Sequence, residues 1–422
     1  MDAYRLTATE ARRLIESGRL DARTLIESCL ERIESREGQT RALVDFHPTS
    51  ARRAASQAGL GRLGGIPFGV KDVLDTAELP SQYASPIWKN HQPRADAAAV
   101  AWARSEGGIP LAKTVTTEFA VRKPGPTTNP HNPAHTPGGS SSGSAAAVAD
   151  FYFPLAIGTQ TAGSTIRPAA YCGIVGYKPT FGLIPRAGMK LMSESLDTIG
   201  VMARSVADCA LFAGALAQRD LGDPEKKVER LPRIGICRSP AWNEALPETV
   251  ELFAQLQELL AQHGARPLPF ELPAEFEALH RTHHITVQFR ESAMSLGWEW
   301  LARREDISDD LRQLLEQGLA ASEAELNAAY AGQAQCRHMF DACLGELDFL
   351  LTPSAPGQAP RGLSDTGSSV FNRIWTSLHV PCITVPAGTG PDGLPLGIQL
   401  VGRRGHDAQL LGWARWLQDV ID

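Results

Sequence analysis

The segment from Pro137 to Pro168 constrains the fold of this 422-residue chain more than any other. It opens with the turn Pro137-Gly138-Gly139-Ser140-Ser141-Ser142-Gly143-Ser144, and the run Ala145–Ala149 follows at once as the start of a helix. Phe153-Pro154-Leu155-Ala156-Ile157-Gly158 then reads as a strand entering a second turn, Gly158-Thr159-Gln160-Thr161-Ala162-Gly163-Ser164-Thr165-Ile166-Arg167-Pro168. Glycine admits dihedrals and close approaches that a β-carbon forbids. Strands and helices alternating through such turns predict an α/β fold with ligands bound at strand ends. Ser140 and Ser164 stand 24 residues apart, one in each turn. A hydroxyl held in a tight turn, with backbone N–H groups converging beside it, meets the demands of acyl transfer on a nucleophile.

Upstream, Ile66-Pro67-Phe68-Gly69-Val70 reads as a short buried strand that ends at Lys71. A helix after Ala97 and the strand Ile109-Pro110-Leu111-Ala112 repeat the strand–helix–strand pattern. Residues 1–60 read as helices. Thr7 and Glu10 form a capping-box pair ahead of Leu14 and Ile15. Asp21 caps a second helix carrying Leu25, Ile26, Cys29, Leu30 and Ile33 at helical spacing. Pro124 to Pro137 has no period and reads as a loop. Composition changes after Asp220: Asp223-Pro224-Glu225-Lys226-Lys227 reads as a solvated junction, and most of Trp242 to Leu347 as helical. The expected architecture is one large domain over 1–422, with N-terminal helices to 60 and a core over 61–221. A helical insertion or cap follows over 222–347, and the core strands and a final helix return over 348–422. Leu350–Pro353, Pro381–Pro386 and Leu396–Val401 are those returning strands, and Leu410, Leu411 and Trp416 mark the final helix.

Composition excludes several function classes. Hydrophobic residues make up 43% and charged residues 21%, ordinary for a globular enzyme. The net charge of −6, with no basic run, argues against nucleic acid as a partner. No window approaches the ~20 apolar residues that span a bilayer, and the N-terminus lacks a signal-peptide pattern. The seven cysteines are scattered, without a Cys-x-x-Cys or Cys/His cluster, so neither a disulfide framework nor a metal site is expected. A cytoplasmic setting fits. The Gly-x-x-x-x-Gly spacing of the second turn has Ser164 where a phosphate loop requires lysine, which makes nucleotide binding a weak alternative.

The ordered set resembles the amidase signature family, serine hydrolases with a Ser–cisSer–Lys triad. It comprises Gly65–Asp72, Thr117–Ala120, both serine turns, Cys172–Thr180, Ser195–Gly200 and Gly393–Gly402. The resemblance implies one domain with a mixed central sheet between helical layers. It implies Ser164 as nucleophile, Ser140 as relay behind a cis Gly139–Ser140 peptide, and Lys71 as the final base. It also implies an oxyanion hole of the N–H groups of Thr161, Ala162, Gly163 and Ser164, with no metal or organic cofactor. Lysine normally titrates near 10.4 and must lose its proton to act as a base, so Lys71 must be buried and held by two serine hydroxyls.

Two departures from the family pattern stand out. Gln160-Thr161-Ala162 replaces a more usual Asp-x-Gly before Gly163-Ser164, and Arg167 follows Ser164 by three positions instead of two. The second resembles a malonamidase-like branch acting on small carboxylated amides. Arg167 is then expected to bind a substrate carboxylate, with a purely structural role as the alternative, and Gly138, Gly139 and Ser141 are further substrate-binding candidates. The cap and the loops around Phe119, Met189–Leu196 and Asn372–His379 are expected to set specificity. His131, His135 and His379 are candidates to approach the pocket, and Phe289, Trp298 and Trp300 to line its mouth. Cys172 reads as a packing residue. The expected function is hydrolysis of a small-molecule amide to an acid and an amine or ammonia, by a chain compatible with a homodimer. The alternatives are an amidotransferase A-type glutaminase subunit that works with a partner, an amidase for neutral or aryl amides, and a non-catalytic protein retaining the fold.

Overall fold

A computed structural model of the chain describes residues 2–57, 59 and 61–422. Its framework is one eleven-stranded mixed sheet with helices on both faces. The strands are β1 (Leu43–Phe46), β2 (Pro67–Lys71), β3 (Ile109–Thr114), β4 (Leu155–Gln160), β5 (Val175–Lys178), β6 (Thr198–Ala203), β7 (Ile234–Cys237), β8 (Leu268–Phe270), β9 (Phe349–Pro353), β10 (Cys382–Thr389) and β11 (Pro395–Val401). Their order is β1-β3-β2-β4-β6-β5-β10-β11-β9-β7-β8. β3, β2 and β4 run parallel, so the chain leaves β2 and β4 at the same end of the sheet. The hairpin β10–β11 pairs antiparallel.

The strands that carry the serine and lysine segments are buried along their whole length, as expected of parallel strands covered on both faces. The helix Ser142–Ala149 packs hard against this part of the sheet. A β-carbon at Gly143 would lie 2.1 Å from the Ala42 carbonyl oxygen, so only glycine allows that approach.

At the N-terminus the Thr7–Glu10 capping box is formed, and Asp21 accepts from the Thr24 N–H at 2.8 Å. The reading of residues 1–60 as helices alone is corrected by β1. Leu43-Val44-Asp45-Phe46 is a half-buried edge strand beside β3, where β-branched and aromatic residues fit a pleated surface.

The stretch 222–347 is likewise not purely helical. β7 and β8 extend the far edge of the sheet parallel to β9 before the chain turns helical. These strands have only four and three residues, too short for a period to show against the helices around them. The helices from Glu275 to Leu344 then bring Phe289 and Asp310 to the wall of a cavity above the strand ends. No helix among the described residues is long and apolar enough to cross a membrane.

Candidate active site

Lys71 is the last residue of β2 and is fully buried. Its Nζ lies 2.7 Å from Ser140 Oγ and 2.7 Å from Thr159 Oγ1, to which it donates. The second partner is thus a threonine on β4, not the serine hydroxyl expected from sequence. Adjacent parallel strands ending together bring Lys71 and Thr159 side by side. Ser140 comes from the turn ahead of the helix Ser142–Ala149, and its peptide bond to Gly139 is cis. Burial lowers the Lys71 pKa to about 7; the Asp197 carboxylate opposes that shift and the Arg167 guanidinium adds to it. Near neutral pH much of this amine therefore carries a free lone pair while keeping N–H groups to donate.

The second turn is pinned from two sides. Gln160 Oε1 accepts from the N–H groups of Thr165 and Ile166 at 3.0 and 3.1 Å, while its Nε2 donates to Thr376 Oγ1 at 3.0 Å. An aspartate could not supply the donor half of that arrangement. Thr161 Oγ1 donates to Asp197 Oδ1 at 2.5 Å, and Asp197 Oδ2 accepts from the N–H groups of Met192 and Ser193. A buried carboxylate near the site therefore comes from Asp197, just ahead of β6, not from position 160.

Between these anchors the N–H groups of Thr161, Ala162, Gly163 and Ser164 donate to no group of the chain among the described hydrogen bonds. Thr161, Ala162 and Ser164 line a cavity of about 530 Å³. Ser164 is half-buried at its wall, while Lys71 and Ser140 are buried and do not line it. Among the described residues, no hydrogen bond joins Ser164 to Ser140. Such contacts are often long without substrate and tighten when it binds.

Arg167 also lines the cavity. Its Nη2 donates to the Gly139 carbonyl oxygen at 2.6 Å and to Thr366 Oγ1 at 3.2 Å, and its Nε donates to the Thr366 carbonyl oxygen at 2.9 Å. No carboxylate lies within ion-pair distance of it among the described residues. Burial lowers its pKa to about 10. It braces the Ser140 turn and keeps a charged face toward the cavity.

The other three substrate-binding candidates do not reach the cavity wall. Ser141 Oγ is spent on the Thr159 backbone, donating to its carbonyl and accepting from its N–H at 3.2 Å each. Gly138 packs on Pro168 and Gly139 on Thr366. The histidines are occupied elsewhere: His131 with the Cys172 carbonyl, His135 with the Ala359 carbonyl, and His379 with the Ser195 carbonyl while it stacks on Phe181. Of the three aromatics only Phe289 reaches the wall. Cys172 is buried, its thiol donates to the Pro137 carbonyl at 3.4 Å, and burial pushes its pKa up.

From the segments expected to set specificity, the wall takes Ala120, Arg373 and, from the cap, Gln288, Phe289 and Asp310, but neither Phe119, which is buried, nor any of Met189–Leu196. Sequence reasoning missed Arg122 and the turn Ser364–Ser369 on the wall. The Ser364-Asp365-Thr366-Gly367-Ser368-Ser369 run has the same hydroxyl and glycine character as the two serine turns, which was the available signal.

Sheet, turns and buried lysine together define an amide hydrolase of the serine–lysine kind. The chain belongs to the amidase family, whose model, described as Amidase, matches residues 24–411. The A-type subunit of glutamyl-tRNA(Gln) amidotransferase from Chloroflexus aggregans is 33% identical over 477 aligned positions, covering 100% of this chain and 97% of that one. A crystal structure described as an amidase superposes with a TM-score of 0.90 at 28% identity, covering 99% of this chain and 100% of its own. The peptide amidase from Stenotrophomonas maltophilia superposes with a TM-score of 0.83 at 28% identity, covering 99% and 97%.

Proposed function

We propose that this amidase hydrolyses an amide carrying a carboxylate on its acyl side, through an ester on Ser164. The observation that carries the mechanism is the buried Lys71 amine, 2.7 Å from the Ser140 hydroxyl and able to shed its proton near pH 7. In the proposed reaction Ser164 Oγ attacks the carbonyl carbon. Its proton passes to Ser140 Oγ as the proton of Ser140 passes to Lys71 Nζ. The developing oxyanion takes the N–H groups of residues 161–164, and each well-aligned donor of this kind contributes about 3–4 kcal/mol. The C–N bond then breaks as the relay returns the proton to the leaving nitrogen, and water hydrolyses the ester by the same route. Arg167, charged, on the Ser164 wall and with no carboxylate within ion-pair distance among the described residues, supports a carboxylated substrate.

The curated relatives support a second reading, since the chain matches A-type amidotransferase subunits over nearly all of its length. Glutamine is itself a primary amide with a carboxylate, so Arg167 serves either reading. An ammonia-release assay on the isolated chain decides between them. Release from carboxylated mono-amides, abolished in Ser164→Ala, is expected for a free-standing amidase. Glutamine hydrolysis that appears only with a second protein present would establish the amidotransferase reading. Ammonia release that survives Ser164→Ala would overturn both.

A further inference from the structure

We propose that Arg122 and Arg373 form a second anion subsite in the same cavity, so that the substrate is an amide bearing two anionic groups. The inference deepens the carboxylated-amide reading and rests on it. Arg122 follows the short helix Glu118–Ala120, and Arg373 opens the short helix Arg373–Ser377. Both line the cavity with Ser164 and Arg167. Neither guanidinium has a hydrogen-bonding side chain or carbonyl, or a carboxylate within 4.0 Å, among the described residues. Arg122 has only the Phe289 ring, 5.9 Å from its guanidinium carbon.

The three arginines form a string of like charges. The pKa of Arg373 is lowered by burial, with Glu244 opposing and Arg122 adding to the shift, and that of Arg167 is lowered by burial, with Tyr171 and Asp365 opposing and Arg373 adding to the shift. Holding such charges together without partners is costly where water is displaced, and a bound polyanion relieves it.

The two acids on the wall, Asp365 and Asp310, offset only part of the charge of the three arginines. Asp365 Oδ1 accepts from the Gly367 N–H at 2.5 Å within its own turn. Asp310 is exposed in the first turn of the helix Asp309–Ala320. Arg167 is already bonded to Gly139 and Thr366, so it can anchor one anion near the scissile group. A second anion then falls to Arg122 and Arg373. A cavity of about 530 Å³ is also in the range that takes ligands well beyond a three-carbon amide. The second group is a carboxylate or a phosphate-type anion, both of which guanidinium pairs bind in the same way.

The test is calorimetric titration of the Ser164→Ala protein, in which turnover plays no part. The probes are the dicarboxylates from malonate to pimelate, their monoamides, and phosphono-carboxylates of equal length. For at least one length the dianion is expected to bind about ten-fold tighter than its monoamide, the size of one charge-assisted contact. Adding Arg122→Gln or Arg373→Gln should bring that ratio toward one, with Arg373→Lys keeping part of it. Comparison of the phosphono series with the dicarboxylates identifies the preferred anion. Arg122 is exposed, so its variant tests the idea even where Arg373→Gln lowers the melting temperature. A ratio near one at every length, or a ratio unchanged in both glutamine variants, would overturn the proposal. Absence of ammonia release by the unaltered enzyme would instead count against the hydrolytic reading and would leave this titration interpretable.

Discussion

The Lys71 amine and the Thr159 hydroxyl lie 2.7 Å apart at the ends of two parallel strands, giving the amine a second fixed partner beside Ser140. A neutral amine has one lone pair, so donating to Thr159 leaves that lone pair for the proton of Ser140. Thr159→Val keeps the shape and removes the partner. We expect kcat to fall about 10- to 100-fold with KM within two-fold, because the loss is confined to orienting the base. A change in KM alone would show that Thr159 contacts substrate instead.

Asp197 is tied to Thr161 and to the N–H groups of Met192 and Ser193, and its charge raises the proton affinity of Lys71. In Asp197→Asn the acid limb of the pH–rate profile should move to lower pH, since the lysine loses a neighbour that favoured its charged form. The rate plateau should fall about ten-fold as the turn loosens. An acid limb that stays in place would remove Asp197 from any electrostatic role.

Gln160 closes the second turn with two accepted hydrogen bonds and one donated. Gln160→Leu leaves two buried N–H groups without an acceptor, which should cost about 2 kcal/mol or more. Chemical denaturation should show that loss, and the same variant should lose kcat because the proposed oxyanion donors belong to this turn. Unaltered stability would contradict the pinning role.

Lys71 also makes stability depend on pH. Burial lowers its pKa from 10.5 to about 7, so between those values the unfolded chain holds a proton that the folded chain lacks. The lysine destabilises the fold most below about pH 7, and that penalty is relieved as pH rises toward 10.5. Lys71→Met removes the dependence. Its stability relative to the unaltered protein should be greatest below pH 7 and decline by about 1.4 kcal/mol per pH unit above it. Parallel pH–stability curves for the two proteins would contradict a shifted lysine.

How much of this the chain disclosed in advance depended on distance along it. β2, β3, β4 and the hairpin β10–β11 are long, apolar and bounded by turn residues, so their positions were readable. β7 and β8 are too short to show a period, and β1 is a half-buried edge strand between helices. In the site, Lys71, Ser140 and Ser164 were legible through their glycine turns. Thr159 and Arg122 were not, because only the folded arrangement places them beside those turns. The same limit explains Ser141: a serine one residue from Ser140 looks alike in sequence, yet its hydroxyl is turned into the β4 backbone.

The most direct measurement is the pH dependence of acylation in a single turnover, with the Ser164 ester trapped and located by mass spectrometry. The rate should rise through an apparent pKa of about 7 and level off above it, with Lys71→Met at least 10³-fold slower and no longer following that titration. A rate that is flat or falling between pH 6 and 9, or an adduct on a residue other than Ser164, would contradict the central claim.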